Sequence, residues 1–185
     1  RGDRRAAAGR RPRGLTARAL GEAVLRGGGL FDLFGRRAPT LRLAGPTVYI
    51  RCPARRDQRA WIAIRRESKR FLEPWEPTWP DDDLSRAAFR GRIRRYNQEI
   101  TAGTGFPFFI CSGQNGAILG GITLGNVRRG VSQCGQIGYW MGERYGGKGV
   151  MSEAVGLLCD HSFRAIGLHR LEAACIPDNT RSIRI

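Results

Sequence analysis

The stretch Gly135–Glu153, GQIGYWMGERYGGKGVMSE, limits what this chain can fold into more than any other. It reads as three pieces in a row. From Gln136 to Met141, Ile137, Tyr139 and Met141 alternate with Gln136, Gly138 and Trp140, and alternation with aromatics suits a short strand. Gly142 to Gly149 is a loop, with Gly146, Gly147 and Gly149 in its second half. From Val150 onward Met151, Val155, Leu158 and Phe163 recur at three- to five-residue steps, which predicts a helix with one apolar side.

A strand that runs through a Gly-rich loop into a helix N-terminus is suited to cradling phosphate. Glycines admit positive φ and close backbone approach. The unpaired amides of the first helical turn then point at an anion, aided by the helix dipole. A Walker loop would place Ser or Thr after Lys148, where Gly149 stands. A dinucleotide fingerprint needs a glycine spacing that Gly142, Gly146, Gly147 and Gly149 do not have. They do fit Arg-x-x-Gly-x-Gly, as Arg144, Gly147 and Gly149. This pattern resembles the acetyl-CoA pyrophosphate loop of the GNAT acetyltransferases; the alternative is an ordinary Gly-rich turn.

The surroundings extend the resemblance. GGITLGNVRRG precedes the loop, LHRLEAACIPDN follows its helix, and FLEPWEPTWP lies upstream. Together these are similar to the RimJ/RimL-type branch of the GNAT family, the ribosomal-protein-alanine N-acetyltransferases. The likeness runs from Gly45 to Ile185 and leaves out Arg1 to Ala44. It implies an α/β GNAT fold, with a mixed, mostly antiparallel sheet flanked by helices. It also implies a last helix and closing hairpin beyond Thr180, and these are missing from a sequence that stops at Ile185. The reading is therefore of a domain over residues 41–185, incomplete at its C-terminus, preceded by a basic flexible arm over residues 1–40.

That arm is low in complexity and carries ten Arg against Asp3, Glu22 and Asp32. An organelle transit peptide is its alternative reading. The net charge of the chain is +16. Such a field attracts polyanions, here the CoA phosphates and ribosomal RNA. No apolar run reaches membrane-spanning length. Cys52, Cys111, Cys134, Cys159 and Cys175 are odd in number and show no CxxC spacing, which argues against a disulfide framework or zinc site and for the cytoplasm. With His161 and His169 as the only histidines, no metal is expected.

In chain order, Thr47–Arg51 reads as the first strand and Arg59–Phe71 as a helix with Trp61, Ile64 and Ser68 on one side. Three prolines then exclude helix and central strand across Leu72–Pro80, where Trp75 and Trp79 either line a peptide groove or cap the core. Asp81, Asp82 and Asp83 are expected to cap a helix reaching about Thr101, which Gly103 and Gly105 end. Its buried side would hold Leu84, Ala88, Ile93, Tyr96 and Ile100, and its basic side Arg86, Arg90, Arg94 and Arg95. Phe106–Cys111 and Ala117–Leu124 read as a hairpin about Asn115-Gly116, a basic loop follows from Asn126 to Cys134, and Leu168–Ile176 reads as a strand parallel to the central one.

The resemblance implies a division of labour. The CoA arm would pair with backbone at Tyr139, Trp140 and Met141. The pyrophosphate would rest on Arg144, Tyr145, Gly146, Gly147, Lys148 and Gly149, with Asn179 and Ser182 beside the arm. Trp75 and Trp79 would border the acceptor. A neutral amine then attacks the thioester directly, without metal or covalent intermediate. Glu172, on the strand flanking the gap, is the candidate base; its alternatives are facing solvent or pairing with Arg170. The function this implies is acetyl-CoA-dependent acetylation of a protein N-terminus, an alanine of a ribosomal protein. A small-molecule amine acetyltransferase and a non-catalytic RNA- or ribosome-binding module are the alternatives.

Overall fold

The structure is a computed structural model and describes residues 40–185. The expected basic arm lies, Thr40 apart, outside the described residues. Six strands form one sheet in the order of the chain: β1 (Arg42–Ala44), β2 (Val48–Arg51), β3 (Phe106–Ser112), β4 (Ile118–Arg128), β5 (Cys134–Met141) and β6 (Arg170–Glu172). Neighbours pair antiparallel except β5 and β6, which are parallel because helix α4 (Val150–Arg164) carries the chain back between them. The expected mixed, mostly antiparallel α/β sheet is the one observed.

Alternation along the strands sends side chains to two faces. On one, Val48, Ile50, Phe108, Ile110, Ile122, Leu124 and Ile137 meet Met151, Ala154 and Leu158 of α4. On the other, Phe109, Cys111 and Ile118 meet Trp61 of helix α1 (Gln58–Glu67) and Phe89 and Ile93 of helix α3 (Arg86–Ala102). Trp61 and Phe89 rings lie 5.2 Å apart.

Several local expectations change. Thr47–Arg51 is not the first strand: β1 precedes it, joined through a turn whose Gly45 amide donates to Val48 O at 2.8 Å. The helix expected to reach Phe71 breaks at Ser68, where α1 gives way to the single turn α2 (Lys69–Leu72). The three aspartates do not cap α3. Ser85 does, its hydroxyl accepting from the Ala88 amide at 3.0 Å, while Asp83 is drawn into an ion pair with Arg92 at 2.7 Å. The buried side of α3 centres on Phe89 and Ile93. Gly103 ends that helix in the left-handed region, as expected of its position. β4 runs on to Arg128, past a register shift after Gly125, so the basic loop is shorter than expected. On α4 it is Met151, Ala154, Leu158 and Ser162 that are buried, while Phe163 is exposed.

The last strand is shorter as well. Of the expected Leu168–Ile176, only Arg170–Glu172 pairs with β5, and Ala173 to Ile176 are all exposed. Past Leu171 no buried side chain anchors this segment to the sheet. No helix among the described residues is long and apolar enough to cross a membrane, and none of their His, Cys, Asp or Glu side chains cluster in a metal-holding group of three. The five cysteines are free thiols.

Candidate active site

β5 ends at Met141 and Gly142 turns the chain. A Cβ on Gly142 would run into the side chain of Ile64, so α1 packs directly on the turn backbone. The next amide, of Glu143, donates to the hydroxyl of buried Ser68 at 3.0 Å, which ties the loop to the break between α1 and α2. Glu143–Tyr145 forms one 3-10 turn. Gly147 and Gly149 then adopt φ of +72° and +75°. A Cβ at either would meet nothing within 4 Å. Backbone conformation, and not crowding, therefore demands glycine at both positions. Gly149 is the N-cap of α4, and no side chain caps this helix. The amides of its first turn are left for an anion.

The other end of the helix N-terminus is anchored by Glu153. Its carboxylate accepts from the Thr47 and Val48 amides at 2.9 and 3.0 Å and from the Thr47 hydroxyl. Burial by itself would push this carboxyl up. The Thr47 hydroxyl and the two amides outweigh it and hold the group below the usual carboxylate range.

Beside the loop the sheet opens. β5 and β6 pair at Cys134–Arg170, Gly135–Leu171 and Gln136–Glu172, and no further. From Ile137 to Met141, β5 keeps β4 on one side and loses its strand neighbour on the other. The mouth of this gap is crossed by Tyr139, whose hydroxyl donates to Ser182 O at 3.4 Å in the short helix α5 (Thr180–Ile183). Asn179 caps α5 by accepting from the Ser182 amide at 3.1 Å. A parallel pair that separates beside a glycine loop at a helix N-terminus offers an extended thioester both a strand edge and an anion seat.

The profile described as Acetyltransferase (GNAT) domain matches residues 47–185. This chain belongs to the GNAT acetyltransferase family. Within it, YjcK of Bacillus subtilis, named as an N-acetyltransferase, is 31% identical over 143 residues, covering 77% of this chain and 79% of its own. The ribosomal protein uS5-alanine N-acetyltransferase of Escherichia coli is 29% identical over 152 residues, covering 81% and 78%. Among solved structures, Mycobacterium smegmatis RimJ in complex with CoA-disulfide superposes with a TM-score of 0.72 at 32% identity, over 78% of this chain and 71% of that one.

In this GNAT domain the residues named from sequence fall into two groups. Tyr139, Trp140 and Met141 lie on the open stretch of β5, Arg144 to Gly149 form the loop, Ser182 meets the Tyr139 hydroxyl, and Asn179 caps the short helix that carries Ser182. These come together. Arg144 is engaged by Glu67 at 3.4 Å and lies over the Tyr145 ring at 4.8 Å, whereas Lys148 is exposed and, among the described residues, without an ion pair. Glu172 is the last residue of β6, at the point where the gap begins, and its carboxylate accepts from Arg170 Nε at 3.0 Å.

The two tryptophans separate. Trp75 is 39% exposed and, with Phe71 and Arg70, lines a depression of about 380 Å³ whose far wall is Asp178 to Arg181. Trp79 is half-buried: its indole donates to Glu76 at 2.7 Å and stacks on the Arg65 guanidinium at 3.9 Å. Arg65 escaped the sequence reading. It is buried on α1, forms paired bonds to Glu76 at 2.7 and 2.8 Å, and also lies over Trp140 at 5.1 Å. The signal was an arginine four residues from Trp61, on the apolar side of a helix, with a glutamate between downstream prolines.

Proposed function

We propose that this GNAT domain transfers acetyl from acetyl-CoA to the α-amino group of a protein N-terminus, in the manner the RimJ-type relatives' names describe, with an N-terminal alanine of a ribosomal protein as acceptor. The separation of β5 from β6 beside the Gly147–Gly149 loop carries this reading. The loop amides and the uncapped N-terminus of α4 receive the pyrophosphate, and the free edge of β5 from Tyr139 to Met141 receives the arm. Acetyl-CoA supplies an activated acyl group whose thioester needs no metal.

The acceptor amine attacks the thioester carbonyl, the carbon–sulfur bond breaks, and CoA leaves as its thiol after taking up a proton. An α-amine titrates at about 7.7 to 8.0, against about 10.4 for lysine, so a sizeable fraction is already neutral near pH 7. A base of modest strength then suffices. Glu172, where the gap begins, does that work in this reading, directly or through one water, with Arg170 holding its carboxylate. Exposed Trp75 offers the acceptor chain an aromatic wall beside α5. Trp79, bonded to Glu76 and stacked on Arg65, holds the segment that carries Trp75.

A ribosomal acceptor also gives the basic surface a role and places the enzyme in the cytoplasm. Arg86, Arg90 and Arg94 recur at four-residue steps on exposed positions of α3, and among the described residues they have no ion-pair partner. Contact with ribosomal RNA is the use this reading gives them. The test is transfer of labelled acetyl from acetyl-CoA to peptides starting with Ala, Ser and Met. Label on the α-amine of the Ala peptide, at a rate well above that on free lysine, is expected. Transfer to small amines alone would overturn the reading.

A further inference from the structure

β5 carries a glycine that nothing inside the protein requires. Gln136, Gly138 and Trp140 share the face of the sheet on which Trp140 packs toward Trp61 and Phe89. Most glycines of this sheet have an evident reason. A side chain at Gly120 would strike Trp140 and Met141, one at Gly121 would strike the Trp140 indole, and one at Gly135 would strike Leu124. Gly138 is different. It is exposed, its φ is ordinary for a strand, and an added Cβ would meet nothing within 4 Å. Glycine in a strand weakens it, and a bare position there marks close approach of a ligand when no neighbour explains it.

The bareness extends across the strand pair. Gly138 is paired with Thr123 on β4, and Gln136 with Gly125. A Cβ on Gly125 would touch only the Thr123 methyl, at 4.0 Å. Gly138 and Gly125 thus lie diagonally on one face, with Thr123 and Gln136 on the other diagonal. Glu172 is the neighbour of Gln136 on β6, Trp140 closes the far side, and β6 has already left the sheet at Gly138.

One wall is also held in place. The register shift after Gly125 puts Asn126 at a φ of +49°, an uncommon conformation for a residue with a side chain. From there its side-chain Nδ2 donates to Gln136 Oε1 at 2.6 Å. Bulges and left-handed residues of this kind gather beside functional sites. The bond leaves the Nε2 of Gln136 as a donor toward whatever occupies the hollow.

We infer that the hollow over Gly138 and Gly125 seats the first side chain of the acceptor, and that Gly138 limits that side chain to a small one. This rests on acetyl transfer to a protein N-terminus. The amine then lies between Gln136 and Glu172, and the first Cβ points onto the bare strand. Residues beginning with Gly, Ala or Ser fit, and branched or long ones meet Thr123 and Trp140. Gly138 is in this account a specificity residue of the acceptor site, separate from the loop that holds CoA.

The experiment compares wild type, Gly138→Ala and Gly138→Val on peptides that start with Gly, Ala, Ser, Val and Leu, with CoA affinity measured by calorimetry. Both variants should fold at least as firmly as wild type, since the backbone and the space accept a side chain. Wild type should favour the small residues. Gly138→Ala should lower kcat/KM for the Ala peptide by about ten-fold or more, by the usual worth of one misplaced methyl group, and less for the Gly peptide. Gly138→Val should remove the Ala peptide as a substrate, with CoA affinity unchanged in both. Equal rates for wild type and Gly138→Val on the Ala peptide would overturn the inference. So would a loss spread equally over all peptides together with weaker CoA binding, or failure of Gly138→Ala to fold. A wild type that acetylates none of the peptides would instead remove the proposed reaction, and this inference with it.

Discussion

Arg65 and Glu76 face each other with two bonds of 2.7 and 2.8 Å between guanidinium and carboxylate, under a Trp79 ring 3.9 Å from the guanidinium carbon. Through this pair the proline-rich segment carrying Trp75 is fastened to α1, and through the ring of Trp140 at 5.1 Å it meets β5. Arg65 is 8% exposed and Glu76 20%. Removing Glu76 leaves the Arg65 guanidinium buried with only the longer contact to Asp83 at 3.9 Å. Glu76→Gln should therefore lower stability by about 3 kcal/mol and alter the tryptophan fluorescence of the folded state. Urea denaturation followed by both probes checks this; an unchanged midpoint would mean the segment is held by its packing alone.

Glu153 makes stability depend on pH. Its carboxyl is held below the usual range by the Thr47 hydroxyl and the Thr47 and Val48 amides, against the opposing push of burial. The unfolded chain titrates at about 4.3. The native state thus binds the proton less readily than the unfolded one. Its stabilisation is full above the unfolded value and is lost as pH falls through the lower, folded one. Glu153→Gln should melt earlier than wild type at pH 7, and the two midpoints should converge below pH 4. The group is half-buried at the surface, so the difference is a modest one. Parallel melting curves at every pH would contradict the assignment.

The loop prediction turns on φ. A β-branched residue at Gly147 cannot hold +72° without strain of about 1–3 kcal/mol, while the open space around it leaves the fold undisturbed. Gly147→Val should weaken CoA binding by about ten-fold or more, in a protein that still folds, with a thermal midpoint lowered only by that strain. Calorimetry decides it, and undiminished affinity in the folded variant would remove this loop from the CoA site.

Glu172→Gln keeps the shape of the side chain and removes its capacity to take a proton. Turnover on an Ala peptide should fall roughly 10²-fold or more, with CoA affinity intact. Wild-type turnover across neutral pH would leave Glu172 as no more than the surface partner of Arg170.

The strand, the glycine loop and the helix after it were legible because their signals are local, and the resemblance of the surrounding blocks supplied the rest of the GNAT fold. Gly147 and Gly149 are needed for their own φ, and the alternation of Ile137, Tyr139 and Met141 with Gln136, Gly138 and Trp140 sets two faces wherever the strand sits. Helix ends read well where a single residue decides them, as at Gly103. They read poorly where neighbours compete. Asp83 is a good capping residue by type, but Arg92 takes its carboxylate at 2.7 Å and leaves the cap to Ser85.

The amino-acid order by itself determined the strand, the glycine loop and the helix N-terminus that follows it, since backbone conformation and side-chain period are properties of a few consecutive residues. Tertiary structure alone decided where the sheet opens. Nothing in LEAACI marks Glu172 as the last paired residue, because pairing depends on which partner strand and which core side chains are within reach. The same holds for Arg65, whose burial becomes tolerable only when Glu76, eleven residues on, is folded back against it. Gly138 shows the limit most plainly: its sequence records a missing side chain, and only the space around it shows that no neighbour required the loss.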